Sequence, residues 1–235
     1  MEKLFLTTAL ISLAAGTASA QMAFETGNID FGYYGYESEP DVSAFILGVR
    51  GAYDIGQMGL QFDASGILLT DGVSSFREYS AGVHLYKPLA NGSKIGVFGA
   101  ADNFSGFGPV SYIYSVGAEG MASFGALDIE GAIGYTFTES PGDDFWVASV
   151  DAYYNISPAI EVNAGVISFI SGGTSPTFYS VGVSYTLPNV PLSIGATYVT
   201  RDGFSAYGLN ASFAFGPEPQ ERLFSSRRYP LYLGG

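Results

Sequence analysis

The sequence contains no cysteine and few charged residues, and basic residues are particularly scarce. Among 235 residues there are 9 Lys and Arg and 22 Asp and Glu, which gives a formal net charge of −13. The absence of cysteine excludes disulfides and the attachment of lipid to a cysteine. The acidic balance disfavours nucleic acid as a partner, because its phosphates repel a negatively charged chain.

Long apolar runs are also absent after residue 20. No later run approaches about 18 residues, so no membrane-spanning helix is predicted. The first residues, MEKLFLTTALISLAAGTASA, place Lys3 before an apolar stretch and small residues at 18–20. This order is typical of a secretory signal peptide. We therefore predict that residues 1–20 are a signal peptide, removed after export through the Sec route.

Glycine and aromatic residues are abundant instead, with 32 Gly, 17 Tyr and 18 Phe. Such a composition favours strands over helices. In WVASVDAYYN, residues 146–155, every second residue from Trp146 is apolar, whereas Asp151 lies on the alternate face. This period of two predicts a β-strand with one apolar and one polar face.

The same alternation recurs along the chain and predicts about 12 strands, with 10 or 14 as alternatives. Turn-forming sequences such as PLANGS, ESPGDD and SGGTSP separate the strands. No linker divides the array, so we predict one domain at 21–215, followed by a tail at 216–235. The predicted strands are 28–36, 43–54, 57–66, 76–87, 94–102, 109–119, 126–137, 145–154, 159–168, 178–187, 192–201 and 205–215.

Charged residues within the strands fall on the polar face, except Arg77 and Lys87 at the ends of one strand. A soluble β-sandwich also alternates, but its solvent-facing side usually carries many lysines and glutamates, which are missing here. On the apolar face, Trp146 and Tyr154 are separated by about 20 Å along a tilted strand, close to the spacing of two membrane interfaces. The apolar face is therefore predicted to contact lipid, with interface aromatics at Trp146, Tyr154, Tyr79 and Tyr179.

These features resemble the outer-membrane β-barrel proteins of Gram-negative bacteria, and among them the porins. The aromatic-ended last strand, AYGLNASFAF, is similar to the signal read by the barrel-insertion machinery. The resemblance implies an all-β, antiparallel up-and-down transmembrane barrel in the bacterial outer membrane, in contact with lipid and lipopolysaccharide. An even strand number then places the loops 37–42, 67–75, 103–108, 138–144, 169–177 and 202–204 outside the cell.

Two functions remain open at this point. One is a porin-like channel for passive diffusion of small solutes, with cations favoured by an acidic lumen. The alternative is a closed, non-conducting structural or adhesion barrel. For the channel, the predicted lumen and selectivity residues are Asp63, Glu78, Asp128, Glu130, Asp151, Glu161 and Arg50. The sequence does not fix the permeating solute or the oligomeric state.

Enzyme chemistry is not predicted. His84 is the single histidine and lies on the polar face, whereas a lipid hydrolase needs its histidine and serine on the lipid side. With one histidine and no cysteine, neither a metal site nor a cofactor is predicted.

The chain continues for twenty residues after the last aromatic of the final strand, Phe215. We predict a periplasmic extension for this tail, with a partial plug in an acidic lumen or a contact with peptidoglycan as alternatives. Its basic and aromatic residues include Arg222, Arg227, Arg228, Tyr229 and Tyr232.

Overall fold

The computed structural model describes residues 22–37, 39–106, 111–139, 144–172, 175–219 and 221–226. The predicted signal peptide and residues 227–235, with Arg227, Arg228, Tyr229 and Tyr232, lie outside the described residues. The strands are, in chain order, β1 (Ala23–Tyr36), β2 (Ser43–Asp54), β3 (Gly59–Thr70), β4 (Ser75–Pro88), β5 (Lys94–Ser105), β6 (Ser111–Phe124), β7 (Leu127–Thr138), β8 (Phe145–Asn155), β9 (Ile160–Ile170), β10 (Thr177–Thr186), β11 (Leu192–Arg201) and β12 (Phe204–Phe215).

Each strand pairs antiparallel with the next in the chain, and β12 pairs with β1 to close the sheet. The closing register runs from Gly27 opposite Phe215 to Tyr36 opposite Ala206. The prediction of an all-β, antiparallel up-and-down barrel of 12 strands is therefore confirmed, and the alternatives of 10 and 14 strands are excluded. Closure leaves no sheet edge with unpaired backbone groups, which is the condition for crossing a bilayer with strands.

The predicted strand ends differ from the observed ones at a few positions. β1 begins at Ala23 rather than at 28, and its pairing with β2 contains a register shift between Phe24 and Thr26. β3 continues to Thr70, with Leu68 exposed on the outer face and Leu69 buried inside the barrel. The described connections are consequently short on both rims of the barrel.

The two rims need names for the description that follows. We call the rim with the start of β1 and the end of β12 the terminal end. The far end is the opposite rim, where the chain passes between β1 and β2, β3 and β4, and so on to β11 and β12. That the far end faces the outside of the cell stays a prediction.

A short turn at the far end shows how polar groups are satisfied there. The backbone N–H groups of Ser74 and Val73 donate to Asp71 Oδ1 at 2.6 and 2.8 Å, and Gly72 has a φ of +83° that glycine adopts without strain. These two hydrogen bonds hold the pKa of the Asp71 carboxyl below its usual range. The turn therefore closes β3 onto β4 with few residues.

The outer face of the barrel is apolar and exposed. In β2, Phe45, Leu47 and Val49 point outward and are exposed, whereas Ala44 and Ala52 point inward and are buried. Soluble monomers rarely expose continuous apolar surface of this extent, so the outer face has the character expected of a surface in lipid. Exposed apolar residues from other strands include Phe31, Tyr33, Ile95, Val97, Tyr114, Val116, Ile133, Val150, Val181, Val183, Ile194, Tyr207 and Leu209.

The predicted interface aromatics lie on this outer face and are all exposed: Trp146, Tyr154, Tyr79 and Tyr179. The ring of Trp146 packs edge-on against that of Tyr135, with centroids 5.1 Å apart. Their depth in a bilayer stays a prediction. The described segments contain no helix with the length and hydrophobicity needed to cross a membrane.

The interior at the far end is filled by apolar side chains that the sequence analysis did not anticipate. The inward face was predicted to be polar along its length, but toward the far end it carries large aromatic residues. Phe178 packs against Phe204 at 6.1 Å, and Phe76 stacks on Phe104 at 5.9 Å. We call this cluster the aromatic layer; its buried members are Tyr36, Ala44, Leu69, Phe76, Phe104, Phe178, Val199, Phe204 and Ala206.

The difference between the two faces can be tested at neighbouring positions of β8. Val150, 49% exposed, lies mid-strand on the outer face, whereas Ser149 points inward. We expect Val150→Arg to lower the free energy of unfolding by about 2–4 kcal/mol in phospholipid vesicles, because it places a cation in lipid. The single tryptophan, Trp146, reports unfolding by its fluorescence in a denaturant titration.

Ser149→Arg is the matched control for this experiment. It places the same side chain two residues from Asp151, on the same inward face, where a carboxylate is within reach. We expect it to be tolerated. Equal losses for the two variants would contradict a lipid-facing outer surface.

Candidate functional site: the lumen and the C-terminal tail

The described part of the tail turns back into the barrel from the terminal end. The N–H of Glu218 donates to the carbonyl oxygen of Glu25, near the start of β1, at 3.0 Å. Further on, Leu223 is 5% exposed and Phe224 is fully buried. Of the alternatives open from the sequence, this arrangement corresponds to a plug. Residues 221–226 lie in the lumen rather than outside the barrel.

Arg222 lies against two carboxylates and an aromatic ring of the barrel wall. Its Nε donates to Asp128 Oδ2 at 3.1 Å, and its Nη2 donates to Glu161 Oε2. The guanidinium carbon is 4.0 Å from the centroid of the Tyr153 ring. Charge-assisted hydrogen bonds and a cation–π contact thus act on the same group, so this part of the wall is a specific binding site for a guanidinium.

Phe224 occupies an aromatic pocket between the side chains of β4. Its ring is parallel to the imidazole of His84, with centroids 5.9 Å apart and 6° between the planes. It meets the ring of Tyr86 edge-on at 5.5 Å. Together with Met121, Tyr86 and Phe224 form a small buried apolar cluster.

The barrel wall also binds the backbone of the tail. Gln61 Oε1 accepts from the N–H of Phe224 at 2.9 Å, and its Nε2 donates to the carbonyl of the same residue at 2.9 Å. The side chain of Lys94 donates to the carbonyl of Arg222 at 2.9 Å and pairs with the carboxylate of Glu221. The tail is therefore held by its main chain as well as by its side chains.

Ser225 makes the last of these contacts. Its N–H donates to Glu130 Oε1 at 3.0 Å and its hydroxyl donates to Glu130 Oε2 at 3.1 Å. The hydroxyl of Tyr153 lies 3.2 Å from the same serine oxygen. One carboxylate thereby accepts hydrogen bonds from both the backbone and the side-chain donor of one residue.

Beneath the ring of Phe224, His84 bridges two buried carboxylates. Its Nε2 lies 2.6 Å from Asp63 Oδ1 and its Nδ1 lies 2.8 Å from Glu119 Oε1, and His84 is fully buried. Gly82 of β4 pairs with Asp63 of β3, and a Cβ added at Gly82 would lie 2.5 Å from Asp63 Oδ2. Glycine at this position therefore leaves the space that the Asp63 carboxylate occupies.

The predicted lumen residues all point inward, and the structure distributes them among different partners. Asp128, Glu161 and Glu130 contact the tail, whereas Asp63 contacts His84. Arg50 pairs with Asp30 at 3.0 Å and donates to the carbonyl of Phe224 at 3.4 Å. Glu78 is buried, and Asp151 is half-buried, next to Gly165. Their role in selectivity stays a prediction.

Several residues of the site were missed from sequence. Gln61 and Tyr153 are uncharged and were counted only as part of the polar face, although both contact the tail directly. Asp102 is buried on the inward face of β5. The alternation of inward and outward residues in β5 indicates this orientation, but Asp102 was overlooked because it is the last residue of the predicted strand 94–102. No group of His, Asp or Glu in the described part of the chain is arranged to hold a metal ion.

No protein-family model matches the sequence, and no curated protein matches it by sequence. Solved structures do match the fold. The KdgM porin superposes with a TM-score of 0.58 at 14% identity, over 80% of this chain and 99% of that one. An outer membrane channel from Pseudomonas putida F1 superposes with a TM-score of 0.63 at 11% identity, over 85% and 98%. The resemblance to outer-membrane β-barrels is confirmed. At these identities the likeness establishes the fold alone.

Outer membrane phospholipase A from Escherichia coli shares this fold, with a TM-score of 0.57 at 9% identity over 82% of this chain and 98% of that one. In the present barrel, His84 points into the lumen and both of its ring nitrogens lie against carboxylates. A histidine bound in this way has no nitrogen left to activate a serine. The sharing of the fold therefore carries no catalytic assignment.

The position of the tail can be tested with a single cysteine, because the chain has none of its own. We expect Ser225→Cys in the folded, full-length protein to react with an impermeant maleimide at least about tenfold more slowly than Val73→Cys, which is 95% exposed. Adding Arg222→Glu places a third carboxylate beside Asp128 and Glu161, so the cysteine should become reactive. Adding Arg222→Lys, which retains the charge, should leave it protected; fast labelling without either change would contradict the lumen position.

The buried His84 bridge gives a separate stability prediction. We expect His84→Leu to lower the free energy of unfolding by about 3–5 kcal/mol, because it leaves Asp63 and Glu119 buried without the imidazole that contacts both. Replacing both acids by amides in the same variant, Asp63→Asn and Glu119→Gln, should recover most of that loss. Denaturant unfolding followed by Trp146 fluorescence measures both; absence of recovery would mean that the loss comes from packing.

Proposed function

We propose that this protein is an outer-membrane channel for passive diffusion of small cationic solutes, described here in a closed conformation. The observation that carries the proposal is the excess of carboxylates on the inner wall. Among the residues that the structure describes, the inward acids outnumber the inward bases Arg50, Lys94, Arg201 and His84, even with Arg222 of the tail included. The inward acids are Asp30, Asp63, Glu78, Asp102, Glu119, Asp128, Glu130, Asp151 and Glu161.

Such an excess lowers the energy of a cation in the lumen and raises that of an anion, since the surrounding sheet and lipid screen the charges poorly. The KdgM porin has also been solved in complex with disordered oligogalacturonate, a polyanion. A polyanion of this kind would be repelled by the carboxylates of the present lumen. The shared fold supports a channel, and the charge of the inner wall supports a preference for cations.

Two features close the path. At the terminal end, residues 221–226 occupy the lumen. At the far end, the aromatic layer crosses it, with Arg201 stacked over the rings of Phe178 and Phe204 at 4.9 and 5.6 Å. An apolar constriction of this kind gates by excluding water, so a channel would have to open at both levels.

The aromatic layer also favours a second candidate, a closed structural barrel. Its members come from β1 to β5 and from β10 to β12, and they pack like a protein core. In that case the tail and the layer together would serve stability rather than gating. Conductance distinguishes the two candidates.

Single-channel recordings in planar bilayers test the proposal. We expect the full-length protein to open rarely, and the full-length variant Arg222→Ala with Phe224→Ala to open more often, because both anchors of the tail are lost. Its reversal potential in a salt gradient should indicate cation preference. Adding Asp151→Asn and Glu161→Gln should move that potential toward zero, and raising salt from 0.1 to 1 M, which shortens the Debye length from about 10 to about 3 Å, should do the same.

A further variant tests the constriction that the aromatic layer forms at the far end. Phe178→Ala with Phe204→Ala removes the two rings that meet across the aromatic layer. If the variant that lacks both the tail anchors and these two rings still shows no conductance while migrating as a folded barrel, the channel proposal fails and the structural barrel remains. Anion preference in any conducting variant would refute the role of the acidic wall.

A further inference from the structure

We propose that the terminal half of the lumen is a recognition site for a peptide that carries arginine two residues before an aromatic residue, and that the tail occupies it as an internal ligand. The site is formed by Gln61, His84, Glu130, Tyr153 and the pair Asp128 and Glu161. This inference concerns binding and does not require that the barrel conducts.

The first argument is that the wall binds the main chain. Gln61 binds both the N–H and the carbonyl of one residue, and Glu130 binds the N–H and the hydroxyl of the next. A wall that only attracts cations has no use for such bonds, since ions and simple solutes lack a peptide group. Paired amide contacts of this kind select a backbone in a defined register.

The second argument is that two side-chain pockets lie at a fixed separation in the ligand. The guanidinium of residue 222 fits between two carboxylates and over a tyrosine ring, whereas residue 224 fits between an imidazole and a phenol ring. Residue 222 is half-buried in its pocket, whereas residues 223 and 224 are buried. The arrangement therefore specifies arginine, an apolar residue and an aromatic residue in that order.

The third argument is the effect of a tether on occupancy. A tail attached to β12 is present at an effective concentration of the order of millimolar, so weak and unspecific contacts would be enough to retain it. The wall instead provides charge-assisted, stacked and main-chain contacts to consecutive residues. Contacts of this quality are sufficient to bind a peptide that is not attached to the barrel, once the tail has left.

The test uses the full chain, with its tail anchors removed by Arg222→Ala and Phe224→Ala. The probe is a fluorescent peptide with the sequence of residues 218–226, EPQERLFSS, followed by anisotropy in detergent. The matched control peptide, EPQEFLRSS, has the same composition with the arginine and the phenylalanine exchanged. We expect saturable binding of the first peptide, about tenfold weaker binding of the control, and about tenfold weaker binding of the first peptide after adding Gln61→Ala.

Release of the tail is checked by adding Ser225→Cys to the anchor variant and measuring maleimide labelling. If that cysteine remains protected, arginine and phenylalanine are not what holds the tail and the proposal fails. If the tail is released but the two peptides bind equally, the lumen attracts cations without recognising a sequence, which also overturns it. Peptide binding, together with no conductance in the variant that also lacks the rings of Phe178 and Phe204, would establish the recognition site and refute the channel alone.

Discussion

The structure depends on the pairing of β1 with β12, because this seam removes the two edges that a sheet of these strands would otherwise expose. In a bilayer an unpaired backbone N–H or carbonyl has no water to bind, so an open sheet is excluded. Closure also decides which face is inside. The charged face has to surround the lumen and the apolar face has to lie outside, which is the reverse of a soluble protein.

Turning the charged face inward has an energetic cost, because carboxylates such as Asp63, Glu119 and Glu130 are buried there and lose their contact with bulk water. The barrel meets it in three ways: Asp30 pairs with Arg50, His84 bridges Asp63 and Glu119, and the tail brings a guanidinium to Asp128 and Glu161. The tail is thus a countercharge as well as an obstruction. A proposed channel and a proposed peptide site follow from the same excess of acid.

The two halves of the lumen differ in what fills them. Toward the far end the interior is an aromatic core, and toward the terminal end it is a polar site occupied by the chain itself. The far-end core stabilises by burial of apolar surface, which is not subject to the screening that weakens charge pairs in salt. The polar half relies on charge and hydrogen bonds, so it is the part that a ligand, a competing peptide or a change in ionic strength can alter.

Alternation of apolar and polar residues was enough to predict the number of strands, their approximate bounds and the face on which Asp63, Glu130 and Asp151 lie, because a period of two is a local property of the chain. The bridge from His84 to Asp63 and Glu119 was beyond such reasoning, since it joins three strands whose spatial order and stagger arise only on closure. The aromatic layer was missed for a related reason: its inward rings are single residues per strand, and only the closed ring brings them into contact. The path of the tail is decided only by the tertiary structure. The binding sites for Arg222 and Phe224 are formed by β3, β4, β7, β8 and β9 together, so they exist in no single stretch of sequence.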